Sequence, residues 1–361
     1  MGLPIISVWI TGSKNMTINF RSDNETPVAP AIMEAIVEAN RGTAWAYAED
    51  DWSTKLDQAF SDLFRTEAIV VPVSTGTVAN SIALATVTPP WGSVYCHGNA
   101  HILKDESGAP EFFGNGLRLV PVNGEQGKLD SATLENAIRN AEGHGIHSYV
   151  PSALSLTQST ESGTVYSIDE VSVLCDLARD LGMKTHMDGA RFANAVASLG
   201  CHPAEISVEA GIDMLSFGAS KNGCMSAEAL VIFKQPQWRQ TTERLRKRSG
   251  HLLSKMRYVS AQLLAYIENG LWLHLATHAN RQAATFAQSV ENHPVASLEY
   301  PVQANEVFVK WTRPGFDQLQ SQAINFRRWP GRDDLARFVF GHTSTDQDTQ
   351  TLIEALNRSA E

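Results

Sequence analysis

The sequence predicts an α/β fold in which a mostly parallel sheet is sandwiched by helices, followed by a small α+β domain. From Asp57 onward, short β-rich apolar runs alternate with helix-like stretches, which is typical of strands joined by crossover helices. After Gln235 this alternation gives way to a long helical stretch and then to a mixed pattern. The length of 361 residues fits two domains at the usual size of about 150 residues each.

Apolar runs bounded by turn residues predict the strands of the large domain, because strands buried on both faces are apolar throughout. The runs are 68–73, 94–97, 117–122, 153–157, 184–187, 213–217 and 229–233. Helices are predicted at 78–86 and 190–198. Another strong helix precedes the fifth run, and the spacing Ser167-x-x-Glu170 predicts a capping box at its start.

The second part of the chain is predicted to open with one long helix, at about 236–269, that ends at Asn269-Gly270. The order beyond it is helix, strand 306–311, helix, strand 337–340, helix. The predicted organisation is an N-terminal extension at 1–20, a large domain at 21–240, a connecting helix at 241–269 and a small C-terminal domain at 270–361. Residues 1–15 precede a second methionine, Met16, and are interpreted as an upstream extension or a docking arm.

Charge and cysteine usage exclude several classes of protein. Lys and Arg number 29 against 39 Asp and Glu, a net charge of −10, so the chain lacks the basic footprint that binds nucleic acid or anionic lipid. The four cysteines form no C-x-x-C pair, which is typical of a reduced cytosolic protein. The apolar run 3–10 is too short to span a bilayer and lacks a signal peptide's basic flank. We expect a cytoplasmic protein without a metal site.

Three segments carry the chemistry, and each follows a predicted strand. The small residues of Ser74–Thr77 allow backbone N–H groups to bind a phosphate at the start of the next helix. Taken alone, this segment is more typical of an ordinary strand-to-helix turn in which Ser or Thr caps the helix. Asp188 lies at the edge where parallel sheets bind ligands, or else caps the next helix. Lys221 follows a predicted strand and lies among small residues. A lone lysine at such a position is usually exposed to solvent. Desolvation lowers the pKa of a lysine and makes it a nucleophile toward carbonyl groups.

The order of the three segments favours a pyridoxal-phosphate site over three unrelated structural roles, namely a capped turn, a helix-capping aspartate and an exposed lysine. Such a cofactor needs a loop for its phosphate, a carboxylate that keeps the pyridine nitrogen protonated and a lysine that forms a Schiff base. A buried carboxylate beside the ring favours the charged pyridinium and so strengthens the electron sink.

These residues give the sequence a resemblance to the threonine aldolase and β-eliminating lyase family of fold-type-I pyridoxal-phosphate enzymes, from about Asn19 to the C-terminus. The motifs that carry it are Arg21–Asn24, Ser74–Asn80, Ala100-His101 with Glu106, His186–Arg191 and Phe217–Gly223. Stretches such as Thr88–Gly92 and Gly108–Phe113 are similar to the bacterial low-specificity L-threonine aldolase and L-phenylserine aldolase branch. The resemblance implies an aspartate-aminotransferase-like large domain with a seven-stranded sheet and pyridoxal 5'-phosphate as cofactor.

The resemblance also implies roles for cofactor-binding residues. Lys221 matches the Schiff-base lysine, Asp188 the partner of the pyridine nitrogen and Arg191 an arginine near the ring hydroxyl. His101 matches a histidine that stacks on the ring. The phosphate cradle is matched by Thr75, Gly76 and Thr77. Arg246, in the basic cluster 244–248, lies either on a solvated helix face or at the phosphate of a partner subunit.

Substrate-binding roles are implied in the same way. Ser22 and Arg337 match residues that hold the substrate carboxylate, which a bidentate guanidinium suits. Tyr47 matches an active-site tyrosine contributed by a neighbouring subunit, so a homo-oligomer is implied, a dimer with shared sites or a tetramer. His147 matches the histidine that faces the β-hydroxyl, and a histidine near pKa ~6.5 can accept its proton. Glu106 is a second candidate base.

The implied activity is retro-aldol cleavage of L-threonine, L-allo-threonine and other β-hydroxy-α-amino acids such as L-phenylserine to glycine and an aldehyde. The same scaffold supports β-elimination, transamination and racemisation, which stay open as alternatives because the cofactor supplies the electron sink for all of them. A cofactor-binding regulator without turnover is disfavoured by the missing DNA-binding module. Tyr47-Ala48 departs from the family's Tyr-Gly, which leaves substrate breadth open.

Overall fold

The structure, a computed structural model, describes residues 18–311 and 316–358, with the side chains of 142–144 and 318 excepted. The arm predicted at residues 1–15 lies outside the described residues. The strands are β1 (Ile18–Asn19), β2 (Ala68–Val73), β3 (Gly92–His97), β4 (Arg118–Val122), β5 (Val150–Thr157), β6 (Lys184–Gly189), β7 (Met214–Gly218), β8 (Glu228–Phe233), β9 (Ala296–Leu298), β10 (Glu306–Trp311), β11 (Ile324–Asn325), β12 (Arg327–Arg328) and β13 (Leu335–Val339).

The α-helices alternate with these strands in the first two thirds of the chain. They are α1 (Pro30–Ala39), α2 (Leu56–Phe64), α3 (Gly76–Val87), α4 (His101–Lys104), α5 (Ala109–Phe113), α6 (Ser131–Ala141), α7 (Ile168–Asp180), α8 (Phe192–Leu199), α9 (Arg239–Arg248), α10 (Arg257–Ile267), α11 (Leu271–Glu291), α12 (Phe316–Ser321) and α13 (Asp346–Arg358). The predicted capping box is present at the start of α7, where Ser167 and Glu170 bond to each other's backbone amides.

A seven-stranded sheet forms the centre of the large domain, in the spatial order β2-β8-β7-β6-β5-β3-β4. The strands pair in parallel except β8, which runs antiparallel to both β2 and β7. Each of the seven strands was predicted, and so was the mostly parallel arrangement. The carboxyl ends of six strands therefore meet the amino end of β8 at one edge of the sheet.

An aromatic cluster packs one face of the sheet against the helices. Phe64 of α2 is buried, and its ring centroid lies 5.0 Å from that of Phe233 and 6.3 Å from that of Phe217. Phe217 in turn packs edge-on against Phe60 and against the indole of Trp272. Large apolar rings at these helix and strand positions fix the separation between the two layers.

A buried histidine ties three central strands together. The ring of His186 on β6 lies 2.9 Å from the Ser155 hydroxyl on β5 and 3.0 Å from the Ser216 hydroxyl on β7. Burial lowers the pKa of His186 to about 4, so the ring is neutral and one nitrogen donates while the other accepts. The histidine beside Asp188 in the sequence motif is thus a structural cross-link.

The single long helix predicted at 236–269 is wrong, because the segment forms two helices, α9 and α10, after a 3-10 turn at 236–238. The chain leaves α9 at Ser249, and Gly250 adopts a left-handed φ of +80° that no helix can continue. The Ser-Gly pair carries this signal in the sequence. The break directs His251 back toward the large sheet.

The small domain is built on the antiparallel sheet β12-β13-β10-β9, with α11 and α13 packed against it. Strand β1 pairs in parallel with β11, and Phe20 contacts Phe340 at a centroid distance of 4.8 Å. The first described residues therefore pack in the core of the small domain. The domain boundaries at 240 and 269 stay a prediction. Within 18–311 and 316–358, no helix combines the length and apolarity that a membrane span requires.

Replacing Phe64 with alanine should lower the free energy of unfolding by about 3–5 kcal/mol, because it leaves a cavity in the aromatic cluster. The urea midpoint of the purified variant measures this loss. Phe112→Ala is the matched control, since Phe112 is 76% exposed. Equal midpoint shifts for the two variants would contradict the assignment of Phe64 to the core.

Candidate active site

A cavity of about 320 Å³ opens at the edge where the six carboxyl ends of parallel strands meet the amino end of β8. It collects side chains from segments that lie far apart in the sequence. They are Asn24, Ser74, Thr75, Gly76, Thr77, Asn80, His101, Glu106, Asp188, Ala190, Ser220, Lys221, Met225, Ser226 and Glu228. The three segments singled out in the sequence, around 75, 188 and 221, thus meet in one cavity.

The amino end of α3 forms one wall of the cavity. Thr75 caps the helix, with its hydroxyl 3.4 Å from the Val78 amide, so the chain turns from β2 into α3 at Gly76. A Cβ at Gly76 would meet no atom within 4 Å, which shows that the space before the helix is open. A helix N-terminus with free amide donors and adjacent hydroxyls is suited to a phosphate.

Asp188, at the end of β6, is held from two sides. One carboxylate oxygen accepts a hydrogen bond of 2.9 Å from the Asn80 side-chain amide, and the other accepts one of 3.0 Å from the Ala190 backbone amide. The same Asn80 nitrogen lies 2.9 Å from an oxygen of Glu106. One amide therefore keeps two buried carboxyl groups at fixed positions and separates their charges.

His101 lies at the start of α4 and lines the same cavity. Its ring Nδ1 is 2.8 Å from Glu106 Oε1, and its backbone amide donates 2.7 Å to Glu161 Oε1. The hydrogen bond to Glu106 raises the pKa of His101 above its ordinary value, although burial opposes the shift. Burial also raises the pKa of Glu106. Glu106 thus fixes the orientation of the His101 ring through its Nδ1 atom.

Lys221 lies on a short 3-10 turn directly after β7. The turn is fixed by the Asn222 side chain, which donates 2.7 Å to the Tyr266 hydroxyl and 2.8 Å to the Trp272 carbonyl. It ends at Gly223, whose φ of +113° disfavours any other residue. Glu228 faces the turn and accepts 3.3 Å bonds from the Ala219 and Ser220 amides. Burial raises the pKa of Glu228 to about 7.

Arg191 is held in a buried charge network beside the cavity. Its guanidinium donates 2.7 and 3.0 Å bonds to Asp23 and lies 3.3 Å from Glu306. Arg337 donates 3.1 Å to the other Glu306 oxygen, and its Nε is buried with no hydrogen-bond partner among the described residues. Despite burial, the Arg191 guanidinium lowers the pKa of Asp23. Arg337 Nε is thus free for a further acceptor.

The residues present fit the predicted pyridoxal phosphate. The cavity contains the amino end of α3, the buried carboxylate of Asp188 and Lys221. That cofactor requires a phosphate site, a carboxylate for its pyridine nitrogen and a lysine for its aldehyde. Two further polar atoms that line it, Asn80 Oδ1 and Glu106 Oε2, are buried without a hydrogen-bond partner among the described residues. Buried polar atoms without partners are expected where a polar ligand supplies them.

Six predicted site residues are not among those that line the cavity: Ser22, Tyr47, His147, Arg191, Arg246 and Arg337. Ser22 caps a 3-10 turn by accepting 3.1 Å from the Asn24 amide, and Asn24 reaches the cavity instead. Tyr47 is 49% exposed and carries the Lys247 ammonium 4.8 Å above its ring. His147 is exposed and precedes the amino end of β5, a strand about 26 Å long at ~3.3 Å per residue. It lies at the opposite edge of the sheet.

Arg246 also departs from both interpretations of the basic cluster. Its side chain is buried inside the subunit, where it donates 3.4 Å to the Pro72 carbonyl and pairs with Glu243. The solvated face consists instead of Arg244, Lys247 and Arg248. At the phosphate loop the segment contributes His251, whose Nδ1 lies 3.0 Å from the Ser74 hydroxyl.

Sequence reasoning assigned no role to Asn80, Glu161, Glu228 and Glu306. Three of the four carry a signal that could have been used. Asn80 is a polar residue one helical turn after Gly76 on an otherwise apolar helix. Glu228 and Glu306 each open a strongly apolar strand, where an acidic residue is unexpected. Glu161 has no such pattern, because only the folded loop brings it to His101.

Comparisons with known proteins identify the family to which the chain is similar. The model of the family described as "Beta-eliminating lyase" matches residues 19–313. The low specificity L-threonine aldolase of Pseudomonas aeruginosa is 40% identical over 94% of this chain and 96% of that protein. The corresponding enzyme of a Pseudomonas species is 39% identical over 89% and 91%. The solved structure of Leishmania major threonine aldolase has a TM-score of 0.88 at 25% identity, covering 95% and 99%.

Replacing Glu106 with glutamine should lower the pKa of His101 toward its ordinary value, because the charged hydrogen-bond acceptor is lost. An NMR titration of the His101 ring protons measures the shift. Glu170→Gln is the control, since that carboxylate caps α7 away from the cavity. An unchanged His101 pKa in Glu106→Gln would contradict the inferred role of the pair.

Proposed function

This chain belongs to the beta-eliminating lyase family, and we propose that it is a fold-type-I, pyridoxal-phosphate-dependent threonine aldolase that cleaves β-hydroxy-α-amino acids to glycine and an aldehyde. The observation that carries the proposal is the meeting of Thr75–Thr77, Asp188 and Lys221 in one cavity. The enzyme is a carbon–carbon lyase by its similarity to threonine aldolases across nearly its whole length. L-Threonine, L-allo-threonine and L-phenylserine are its proposed substrates.

Residues on three walls would hold the cofactor. The amides at the start of α3, with Thr75 and Thr77, would hold the phosphate, and Lys221 would bind the aldehyde carbon. Asp188 would keep the pyridine nitrogen protonated, because a fixed buried carboxylate favours the charged form. His101 would pack on the ring. When bound, pyridoxal phosphate supplies the electron sink for carbon–carbon cleavage.

Arg337 is proposed to bind the substrate carboxylate, with help from Ser22. Its buried Nε has no partner among the described residues, so a carboxylate can accept there while Nη1 stays on Glu306. This anchor fixes the amino acid so that its Cα–Cβ bond can stand perpendicular to the ring. Arg191 would lie beside the ring hydroxyl, held in place by Asp23.

Cleavage also needs a base for the β-hydroxyl proton. Glu106 was a candidate, but its Oε1 holds the His101 ring and the Asn80 amide, so we propose that it mainly positions His101. His147 lies at the opposite edge of the sheet within the subunit, which leaves it remote from Lys221. Another group must therefore receive this proton.

We further propose that the enzyme is a homo-oligomer, a dimer with shared sites or a tetramer, to which Tyr47 contributes from a neighbouring subunit. Tyr47 and Ala48 both have left-handed φ values, of 56° and 69°, so the backbone presents the phenol ring outward. The Lys247 ammonium lies over this ring, and Trp45, two residues earlier, is also exposed. Arg246 is proposed to support the phosphate loop from within the subunit through Pro72.

Product analysis tests the proposed activity. The pyridoxal-phosphate-loaded protein is incubated separately with L-threonine, L-allo-threonine and L-phenylserine, and glycine and the matching aldehyde are quantified. Both products are expected in equal amounts from at least one substrate. A 2-oxo acid with ammonia would indicate β-elimination instead, and the absence of any product would contradict the proposal.

Lys221→Ala should abolish steady-state turnover, because the amine that binds and releases the cofactor is lost. Aldehyde release measures this, and circular dichroism checks the fold. Lys104→Ala on the neighbouring helix α4 serves as a control. Robust turnover by Lys221→Ala would overturn its assignment.

Asp188→Asn should lower kcat by a hundredfold or more, since one preorganised charge at the reacting system is worth about 10²–10³ in rate. The amide can still accept from the Ala190 backbone amide, so the fold should stay intact. The kinetics of L-threonine cleavage measure the effect. A kcat close to the wild-type value would contradict the role of Asp188 at the pyridine nitrogen.

A further inference from the structure

The loop between β5 and α7 packs against two parts of the proposed site. At its start, the Gln158 amide donates 2.8 Å to the Asp188 carbonyl. At its end, the backbone of Gly163 packs on Glu306, so closely that a Cβ there would lie 3.0 Å from the Glu306 carbonyl oxygen. The loop therefore bridges from the cofactor-binding strand to the pair Glu306–Arg337, where the substrate carboxylate is proposed to bind.

Glu161 occupies the middle of this loop. Its Oε1 accepts 2.7 Å from the His101 backbone amide and 3.0 Å from the Thr157 hydroxyl. Its Oε2 is buried and has no hydrogen-bond partner among the described residues. One oxygen is thus fixed by two donors, while the described residues leave the other available to a bound group.

The surroundings suit proton exchange near neutrality. Burial and the Asp188 carboxylate together raise the pKa of Glu161 to about 7, against the lowering effect of its hydrogen bonds from the His101 amide and the Thr157 hydroxyl. The titratable groups that interact with Glu161 from the packed elements are Asp188, Arg191, His101, Cys96 and Tyr166. Burial raises the pKa values of Cys96 and Tyr166 well above neutrality, so these two stay neutral.

The carboxyl groups that line the cavity have other partners, whereas Glu161 is not a lining residue and bonds to the backbone of one that is, His101. Glu106 lies between the His101 ring and Asn80, on the Asp188 side. Glu228 faces the Lys221 turn through the Ala219 and Ser220 amides. Glu161 differs from them because its loop contacts both His101 and Glu306, the partner of Arg337, and the side chain of an amino acid anchored at Arg337 would extend toward this loop.

We propose that Glu161 is the catalytic residue that accepts the β-hydroxyl proton of the substrate, an inference that rests on the proposed aldolase function. The hydroxyl proton passes to Glu161, the O–H electrons form the aldehyde C=O bond, and the Cα–Cβ electrons remain on Cα. One proton then returns to Cα to give glycine. Atoms and electrons balance without an oxidant or a further co-reactant.

The variant Glu161→Gln tests the proposal, because it should impair deprotonation of the substrate hydroxyl and leave cofactor and carboxylate binding unchanged. L-Threonine cleavage should fall by about 10²–10⁴-fold, the usual contribution of a general base. The comparison reaction is exchange of the glycine α-proton with deuterium, followed by NMR. It needs the cofactor, Lys221 and Arg337 but removes no hydroxyl proton. The exchange rate of the variant should therefore stay within a few-fold of the wild-type rate. Glu170→Gln, a carboxylate in the neighbouring capping box, is the matched control.

Thr157→Val gives an independent readout. Loss of the hydroxyl donor destabilises the ionised carboxylate, so the pKa of Glu161 rises and the acidic limb of the kcat profile should move to higher pH. A purely structural role would lower the rate without moving that limb. The shift is expected even if Glu161→Gln folds poorly.

The outcomes are distinct. Loss of cleavage with retained exchange, together with a shifted limb in Thr157→Val, supports the proposal. Wild-type cleavage by Glu161→Gln, equal loss of cleavage and exchange in that variant, or an unmoved limb in Thr157→Val overturns it. Exchange without cleavage in the wild-type enzyme would instead refute the aldolase function on which the inference rests.

Discussion

The buried network of Asp23, Arg191, Glu306 and Arg337 is the interaction on which the geometry of the site depends. It joins the N-terminal segment, the large sheet and the small sheet through charge pairs between 2.7 and 3.3 Å. Two cations balance two carboxylates, and removal of either arginine would leave a buried charge without compensation. The network, with Arg337 as the proposed substrate anchor, forms only when these three segments are folded together, so its formation is inseparable from docking of the small domain.

The site contains several carboxyl groups whose environments differ. Asp188 accepts a hydrogen bond on each carboxylate oxygen, from the Asn80 side chain and from the Ala190 backbone. Glu106 forms a hydrogen bond with the ring of His101. Burial raises the pKa values of Glu161 and Glu228 to about 7. One residue type can therefore serve as a fixed charge, a positioning group or a proton carrier, because its partners and its burial set its charge. The Asn80 amide between two of them keeps the fixed charge apart from the positioning group.

The sequence predicted the central sheet well because each of its strands is an apolar run that is buried on both faces. It also placed Asp188, Lys221 and Thr75–Thr77 at strand ends, and in a parallel sheet the strand ends meet. The break at Gly250 was missed because helical periodicity continues on both sides of it. His147 and Arg246 could not be placed from the motifs, since sequence proximity to a strand does not tell which edge or which side of a helix a side chain faces. Glu161 depends on a loop conformation that carries no periodic signal.

The reversed direction of β8 has a consequence for Lys221. Because β8 returns antiparallel to β7, residues 219–227 form a short loop whose two ends are both held in the sheet. Closing so short a loop costs little entropy once the strands are paired. The amine of Lys221 is therefore confined to one edge of the sheet. In its proposed role, it would be present at a high effective concentration beside any group bound in the cavity.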